Sequence, residues 1–344
     1  MEKVTFLVSN KCNFRCKHCF VNAGSKIQNE LSEENKYKAI DNLVNLGVNK
    51  ITFSGGEPLM EKNLFKYIKY AKSKNVAIGF LTNGLLLDEK KIEQLKKLVD
   101  TFSISLYSQD ILGVENEFYS SYINKTIRNL KILTEKHFNF QITIPISTNN
   151  KDKAIDYIKL IYNEKIKART IRIYMITPLG RAKQNKAMCT EKFNCSDLLK
   201  QVPDYIKQSN LNISTEFSSI DRNEEKISRF YAYCPIINYT SKNYINKYGD
   251  PHMDANGDLY LCGLLLREKE YCIGNILKNS KEEIIDNIRK LSNLIKTKIK
   301  EDCCPALNRH AKKNEILVCP VIYLKTEMKW IKKMNVYVDI EKVI

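Results

Sequence analysis

The sequence predicts an α/β fold, a parallel sheet flanked by helices, with a small cysteine-rich extension after it. Three observations predict it. Short β-rich runs alternate with amphipathic helical runs through the first 180 residues. The alternation is long enough in each unit for right-handed βαβ crossovers. After residue 230 it gives way to a Cys-, Tyr- and turn-rich stretch.

The elements follow in order. Val4–Ser9 reads as a strand. Ser32 to Leu46 reads as a helix opened by a capping Ser32, with Tyr37, Ile40, Leu43, Val44 and Leu46 at near-helical spacing. Lys50–Phe53 is a strand ended by Gly55-Gly56, and Leu64 to Ala71 a helix. Val76–Leu81 is a strand ended by Asn83-Gly84, and Asp88 to Leu98 a helix. Phe102–Tyr107 is a strand and Tyr122 to Lys136 a helix. Phe140–Ile146 is a strand, Lys153 to Tyr162 a helix, and Thr170–Ile176 a strand. Six units are too few for a standard eight-unit TIM barrel, so the expectation is an open, partial (β/α)6 TIM-like barrel with its ligands at the carboxyl ends of the strands. Residues 1–185 form this core, 186–230 form one or two connecting helices with polar loops, and 231–344 form the extension and tail. Within the last part, Leu259–Cys262 reads as a short strand and Asp286 to Lys300 as a helix.

Composition narrows the function classes. The 344 residues are 43% hydrophobic and 28% charged, as in a globular protein. No apolar run approaches the ~20 residues that span a bilayer, and the N-terminus lacks a signal-peptide pattern. A cytoplasmic protein with no membrane partner is expected. Eleven cysteines in a reducing compartment favour metal binding or catalysis over disulfides. The net charge of +17 resides largely in lysines placed on helix faces, such as Lys90-Lys91, Lys96-Lys97 and Lys332-Lys333. No RNA-recognition or helix-turn-helix signature accompanies them, and a nucleic-acid partner is not expected.

Cys12-Asn13-Phe14-Arg15-Cys16-Lys17-His18-Cys19 follows the first strand. Three thiolates on one loop can wrap an iron–sulfur cubane and leave one iron open. Alone, the loop also fits, less well, a zinc site completed by His18 or a remote cysteine. Ser54-Gly55-Gly56-Glu57-Pro58 follows the second strand; its glycines let backbone approach a ligand, and Glu57 offers a carboxylate to an amine. Thr82-Asn83-Gly84 follows the third strand, and Ser103 and Ser105 share one face of the fourth. Each of these alone is an ordinary turn or polar strand face.

Together, the three-Cys loop, Gly-Gly-Glu-Pro, Thr-Asn-Gly and six βα units resemble the radical S-adenosylmethionine (SAM) superfamily over residues 4–181. The resemblance implies a [4Fe–4S] cluster on Cys12, Cys16 and Cys19, with SAM chelating the open iron. It implies that Gly55, Gly56 and Glu57 hold the SAM amino group, that Thr82, Asn83 and Ser103 or Ser105 line the site, and that Arg181 meets the SAM carboxylate. Gly257 to Cys262 and Ile273 to Ile276 resemble the start of the extension called SPASM or, in its shorter form, Twitch. This implies one auxiliary [4Fe–4S] cluster on Cys234, Cys262, Cys304 and Cys319, with Cys303 as alternative to Cys304. Cys189, Cys195 and Cys272 remain; each is an ordinary thiol or a hydrogen-atom donor to a substrate radical.

The implied reaction is reductive cleavage of SAM to a 5′-deoxyadenosyl radical that abstracts a substrate hydrogen. Relatives with such extensions mostly cross-link or epimerise ribosomally made peptides. A barrel beginning at residue 4 leads to the expectation of a separate leader-peptide-binding protein, together with a reductant such as flavodoxin or ferredoxin. The alternatives are a small-molecule dehydrogenase or decarboxylase acting on a sugar, cyclitol or nucleoside, and a non-catalytic zinc or iron–sulfur protein.

Overall fold

A computed structural model describes residues 1–25, 29–176, 179–188, 201–202, 204–206, 208, 214–217 and 251–300. The order is β1 (Lys3–Ser9), α1 (Glu33–Asn45), β2 (Lys50–Gly55), α2 (Leu64–Ser73), β3 (Ala77–Thr82), α3 (Glu89–Leu98), β4 (Thr101–Ser105), α4 (Gln109–Leu112), α5 (Asn116–Glu135), β5 (Phe140–Ile146), α6 (Ala154–Asn163) and β6 (Thr170–Met175). Then come β7 (Ser214–Phe217), β8 (His252–Met253), β9 (Asp258–Tyr260), β10 (Gly274–Asn275) and α7 (Lys281–Lys300).

Strands β1 to β6 pair in sequence order, all parallel, as the six expected units require. The sheet runs β10-β9-β8-β1-β2-β3-β4-β5-β6-β7 with two free ends. It is the open, partial barrel expected.

Several details differ from the sequence reading: α7 starts at Lys281, ahead of the Asp286 that the sequence suggests, and β4 stops at Ser105, short of Tyr107. A seventh strand, β7, joins β6 in parallel within the stretch read as connecting helices. Its Ser-Thr-Glu-Phe run is too short to carry a periodicity of its own. Helix α5 begins at Asn116, six residues before Tyr122 (116 against 122); its first turns mix polar residues with an exposed Phe118, so their apolar pattern is weak. The strand expected at Leu259–Cys262 spans Asp258–Tyr260 and belongs to an antiparallel ribbon, β8-β9-β10. That ribbon is attached to the free side of β1, where β8 runs parallel to it.

The main core lies between the sheet and the helices. Val4, Phe6 and Val8 of β1 and Ile51 and Phe53 of β2 meet Ala39, Ile40 and Leu43 of α1. Each fully buried large side chain contributes about 1.5–3 kcal/mol. Ser32 caps α1 as expected, its hydroxyl accepting from the Asn35 N–H at 3.2 Å. Surface lysines pair across helices, as in Lys72–Asp100 and Lys136–Glu93, which supports the solvated-face reading of the charge. Among the described residues, no helix is long and apolar enough to cross a membrane.

Candidate functional site

The carboxyl end of β1 leads into a loop folded back over the inner face of the sheet. Leu7 packs there with Val21 and Ala23, and Cys12 and Cys19 lie against them. Cys12 and Cys19 also meet Phe14, Cys16, Leu112 and Tyr122 in a second small core. The loop's base is closed by polar bonds. Asn10 donates through Nδ2 to the Ser25 carbonyl (2.6 Å), and its N–H donates to Glu30 Oε1 (2.8 Å). The Gly24 N–H returns to the Asn10 carbonyl at 2.6 Å.

The sulfurs are acceptors here. The Phe14 N–H donates to Cys12 Sγ at 3.4 Å and the Ala23 N–H to Cys19 Sγ at 3.2 Å. Burial pushes the Cys12 thiol up to about 11 and Cys16 higher still. Buried thiols of this kind ionise only when a cationic centre balances them, which iron supplies. Two side-chain nitrogens on the same loop, Asn13 Nδ2 and His18 Nδ1, are buried without a hydrogen-bond partner. His18 lies 5.3 Å from the Tyr107 ring and 6.3 Å from that of Tyr174. Burial brings it down to about 4, so its ring is neutral. Three soft donors with unfilled polar atoms beside them fit an iron–sulfur cluster and a polar ligand. Among the described residues, no three His, Cys, Asp or Glu side chains are grouped as ligands of a single metal ion.

The glycines after β2 press against that loop. A Cβ on Gly56 would stand 2.0 Å from the Lys11 carbonyl oxygen, and one on Gly55 2.3 Å from that of Ser9. The Gly56 and Glu57 N–H groups donate to those same two oxygens' residues, Ser9 (2.9 Å) and Lys11 (2.7 Å). The close approach read from the sequence as one to a ligand is therefore, in the structure, an approach to the cysteine loop's own backbone.

Glu57 is 1% exposed, and its carboxylate is surrounded by protein donors. Thr82 Oγ1 donates to Oε1 at 2.8 Å, the Asn83 N–H to Oε2 at 2.8 Å and the Leu59 N–H to Oε1 at 3.1 Å. Burial outweighs these donors and raises the carboxyl to about 7. Asn83 in turn donates through Nδ2 to Asn13 Oδ1 at 2.8 Å. Glu57, Thr82 and Asn83 thus fasten the β2 and β3 ends to the cysteine loop. On β4, Ser103 Oγ bonds Thr143 Oγ1 of β5 at 2.8 Å, and the Ser105 carbonyl accepts from Tyr122 (3.2 Å).

Arg181 reaches the same loop from beyond β6. Nε donates to the Cys16 carbonyl at 2.9 Å, and Nη1 donates to the Ala23 carbonyl at 2.6 Å and to Asn22 Oδ1 at 3.1 Å. Nothing local in the chain points to these loop carbonyls as partners of Arg181. Cys262, two residues past β9, packs against the main core, and the Cys272 thiol donates to the Gly274 carbonyl at 3.5 Å beside β10. Cys189, Cys195, Cys234, Cys303, Cys304 and Cys319 lie outside the described residues.

Comparison with known proteins identifies the domain at the front of the chain. Residues 6–161 match the model of the Radical SAM superfamily. The chain carries a radical SAM domain. It is in that respect a SAM-dependent enzyme, of a family that uses a [4Fe–4S] cluster together with SAM. An uncharacterized protein of Methanocaldococcus jannaschii is 28% identical over 299 residues, 83% of this chain and 91% of the relative. An AdoMet-dependent heme synthase of Oleidesulfovibrio alaskensis is 26% identical over 218 residues, 61% of this chain and 54% of the relative. The subtilosin biosynthesis protein AlbA of Bacillus subtilis is 21% identical over 316 residues, 88% of this chain and 64% of the relative. The matches thus span about half the length of several curated relatives. In fold, the radical SAM chain resembles Streptococcus suis SuiB bound to its precursor peptide SuiA, with a TM-score of 0.65 at 16% identity. That likeness covers 93% of this chain and 75% of SuiB.

Proposed function

We propose that this radical SAM enzyme abstracts a hydrogen atom from a ribosomally made peptide, leading to a cross-link or an epimerised residue. The observation that carries the chemistry is the cysteine loop: three half-buried or buried thiols of one loop, braced by Glu57, Asn83 and Arg181 and backed by unfilled polar atoms on Asn13 and His18. Cys12, Cys16 and Cys19 would hold the cluster, which would supply the electron for reductive cleavage of SAM. The chain's own residues hold and enclose. Gly55 and Gly56 set the β2 end against the loop, and Glu57 fixes Thr82 and Asn83 at its side. Ser103 and Ser105 present a polar strand face, and Phe14, Tyr107, Leu112 and Tyr122 keep water from the loop's inner side.

The peptide reading is supported by the similarity to AlbA, a bacteriocin biosynthesis protein, across 88% of this chain, and by a fold shared with the peptide-bound SuiB. A small-molecule reading is favoured by the heme synthase similarity, which covers less of the chain. Completing the proposal are a division into a core over 1–185, a connection over 186–230 and an auxiliary-cluster segment over 231–344. With it go an auxiliary cluster on Cys234, Cys262, Cys304 (or Cys303) and Cys319, a flavodoxin- or ferredoxin-type reductant, a separate leader-binding protein and a cytoplasmic location.

Anaerobic reconstitution tests the chemistry. The expected protein is brown, holds roughly eight irons as two cubanes, and releases 5′-deoxyadenosine from SAM once reduced. Zinc in place of iron, with no SAM cleavage, overturns it. Co-expression with a short peptide gene adjoining this one tests the substrate. Loss of a hydrogen pair from the peptide marks a cross-link, and deuterium uptake from heavy water marks epimerisation. An unaltered peptide alongside active SAM cleavage favours the small-molecule reading.

A further inference from the structure

The ribbon does more than extend the sheet. The β1 N–H of Thr5 donates to the Pro251 carbonyl at 2.7 Å, and the Leu31 N–H donates to that of Ala255 at 2.8 Å. The His252 ring meets Phe20, next to Cys19, edge-on at 6.2 Å and presses against Gly263, where a Cβ would come within 2.7 Å of it. Beyond Gly263 the chain turns at Arg267, whose φ of +67° is a left-handed conformation that a side chain with a Cβ adopts only at a cost. Such conformations persist where the surroundings over-determine them. The guanidinium is the reason visible here. Nη1 donates to the Val21 carbonyl, and Nη2 donates to Asn10 Oδ1 at 2.9 Å. Those partners sit at the two ends of the cysteine loop. Cys19, Asp254 and Glu30 lie within electrostatic reach of the charge. Arg181 grips the same loop from the opposite end of the parallel sheet.

We propose that Arg267, supplied by the C-terminal segment, is a positioning residue for the cluster of the Cys12–Cys19 loop: it clamps both ends of the loop and places a positive charge beside Cys19. The proposal rests on the cluster assignment above. Outer contacts of this kind orient ligands and tune the metal they hold. A cation beside a cluster stabilises its reduced, more negative state, so losing it lowers the reduction potential.

The test compares reconstituted Arg267→Gln, Arg267→Lys and Lys269→Gln with the unaltered enzyme. The readout is the electron paramagnetic resonance signal that changes on adding SAM, which singles out this cluster, followed through a redox titration. Arg267→Gln is expected to move the midpoint to a more negative potential and to weaken iron retention roughly ten-fold. Arg267→Lys, keeping the charge without the two-pronged grip, is expected to restore the potential but not the retention. Lys269→Gln removes an exposed charge of the same segment and is expected to change neither. Unchanged potential and retention in Arg267→Gln, or an equal shift in Lys269→Gln, overturns the proposal. If Arg267→Gln fails to fold, Arg267→Lys with normal iron retention overturns it. A SAM-responsive signal missing from the unaltered enzyme counts instead against the cluster assignment.

Discussion

Glu57 and Asn275 each make three hydrogen bonds through one side chain, Glu57 at the carboxyl edge of the parallel strands and Asn275 in the antiparallel ribbon. Glu57 accepts from Leu59, Thr82 and Asn83. Asn275 donates to Asp258 Oδ1 and to the Asn256 carbonyl and accepts from the Leu277 N–H. The first is a buried carboxyl whose burial works against its charge, and the second is a half-buried neutral amide. A neutral amide suffices to fasten a ribbon. A carboxyl sealed inside the protein is a costlier solution, and it stands beside the cysteine loop, to which Asn83 joins it. The regions differ equally in their glycines. Gly56 is hemmed in by backbone on the Lys11 and Asn10 side, whereas the nearest atom to a Cβ on Gly257 is the Ile276 side chain at 3.2 Å.

These contrasts can be broken by measurement. The largest effect is expected from Gly56→Ala, a loss of about 3 kcal/mol or more, because backbone cannot move aside as a side chain can. Gly257→Ala, at φ +88°, should cost about 1–2 kcal/mol. Chemical denaturation of both variants compares them, and equal losses would mean that the ribbon is packed as tightly as the site loops.

Next is the pH dependence of Glu57. Its carboxyl lies near 7 in the folded protein, against 4.5 ordinarily, so the protonated form is the one that folding favours. Its contribution is fully present below pH 4.5 and is lost as pH rises through about 7. The unaltered protein should therefore lose at most about 3 kcal/mol relative to Glu57→Gln across that window. Denaturation at several pH values would show two parallel curves if the carboxyl were not buried in this way. Asn275→Ala should cost about 2 kcal/mol, with no matching pH dependence. The smallest effect is expected from Ser32→Ala, about 1 kcal/mol. A thermal shift indistinguishable from zero would mean that the α1 cap is idle.

Much of the architecture was legible in the sequence, because βα units advertise themselves through period and punctuation. The Ser32 cap and the span Phe140–Ile146 fall where the pattern put them. What stayed hidden depended on distant partners. β7 is four residues whose strand character comes from lying beside β6. The ribbon's place beside β1 has no local signal at all. In the site, residue types pointed to the right loops, yet their bonds did not follow from type. Glu57 and Arg181 read as groups aimed at a ligand, and the structure engages them with the chain's own amides and carbonyls.

The clamp on the cysteine loop also fixes an order of events in making the protein. Asn10 and Arg267 are 257 residues apart, so a ribosome exposes the loop long before the residue that closes it. Contacts this distant in sequence form late and slow the search for the native state. Until then the loop is held by its contacts with β1 to β6 and with Arg181. The segment carrying Arg267 arrives late, as a latch on a loop made at the start of the chain.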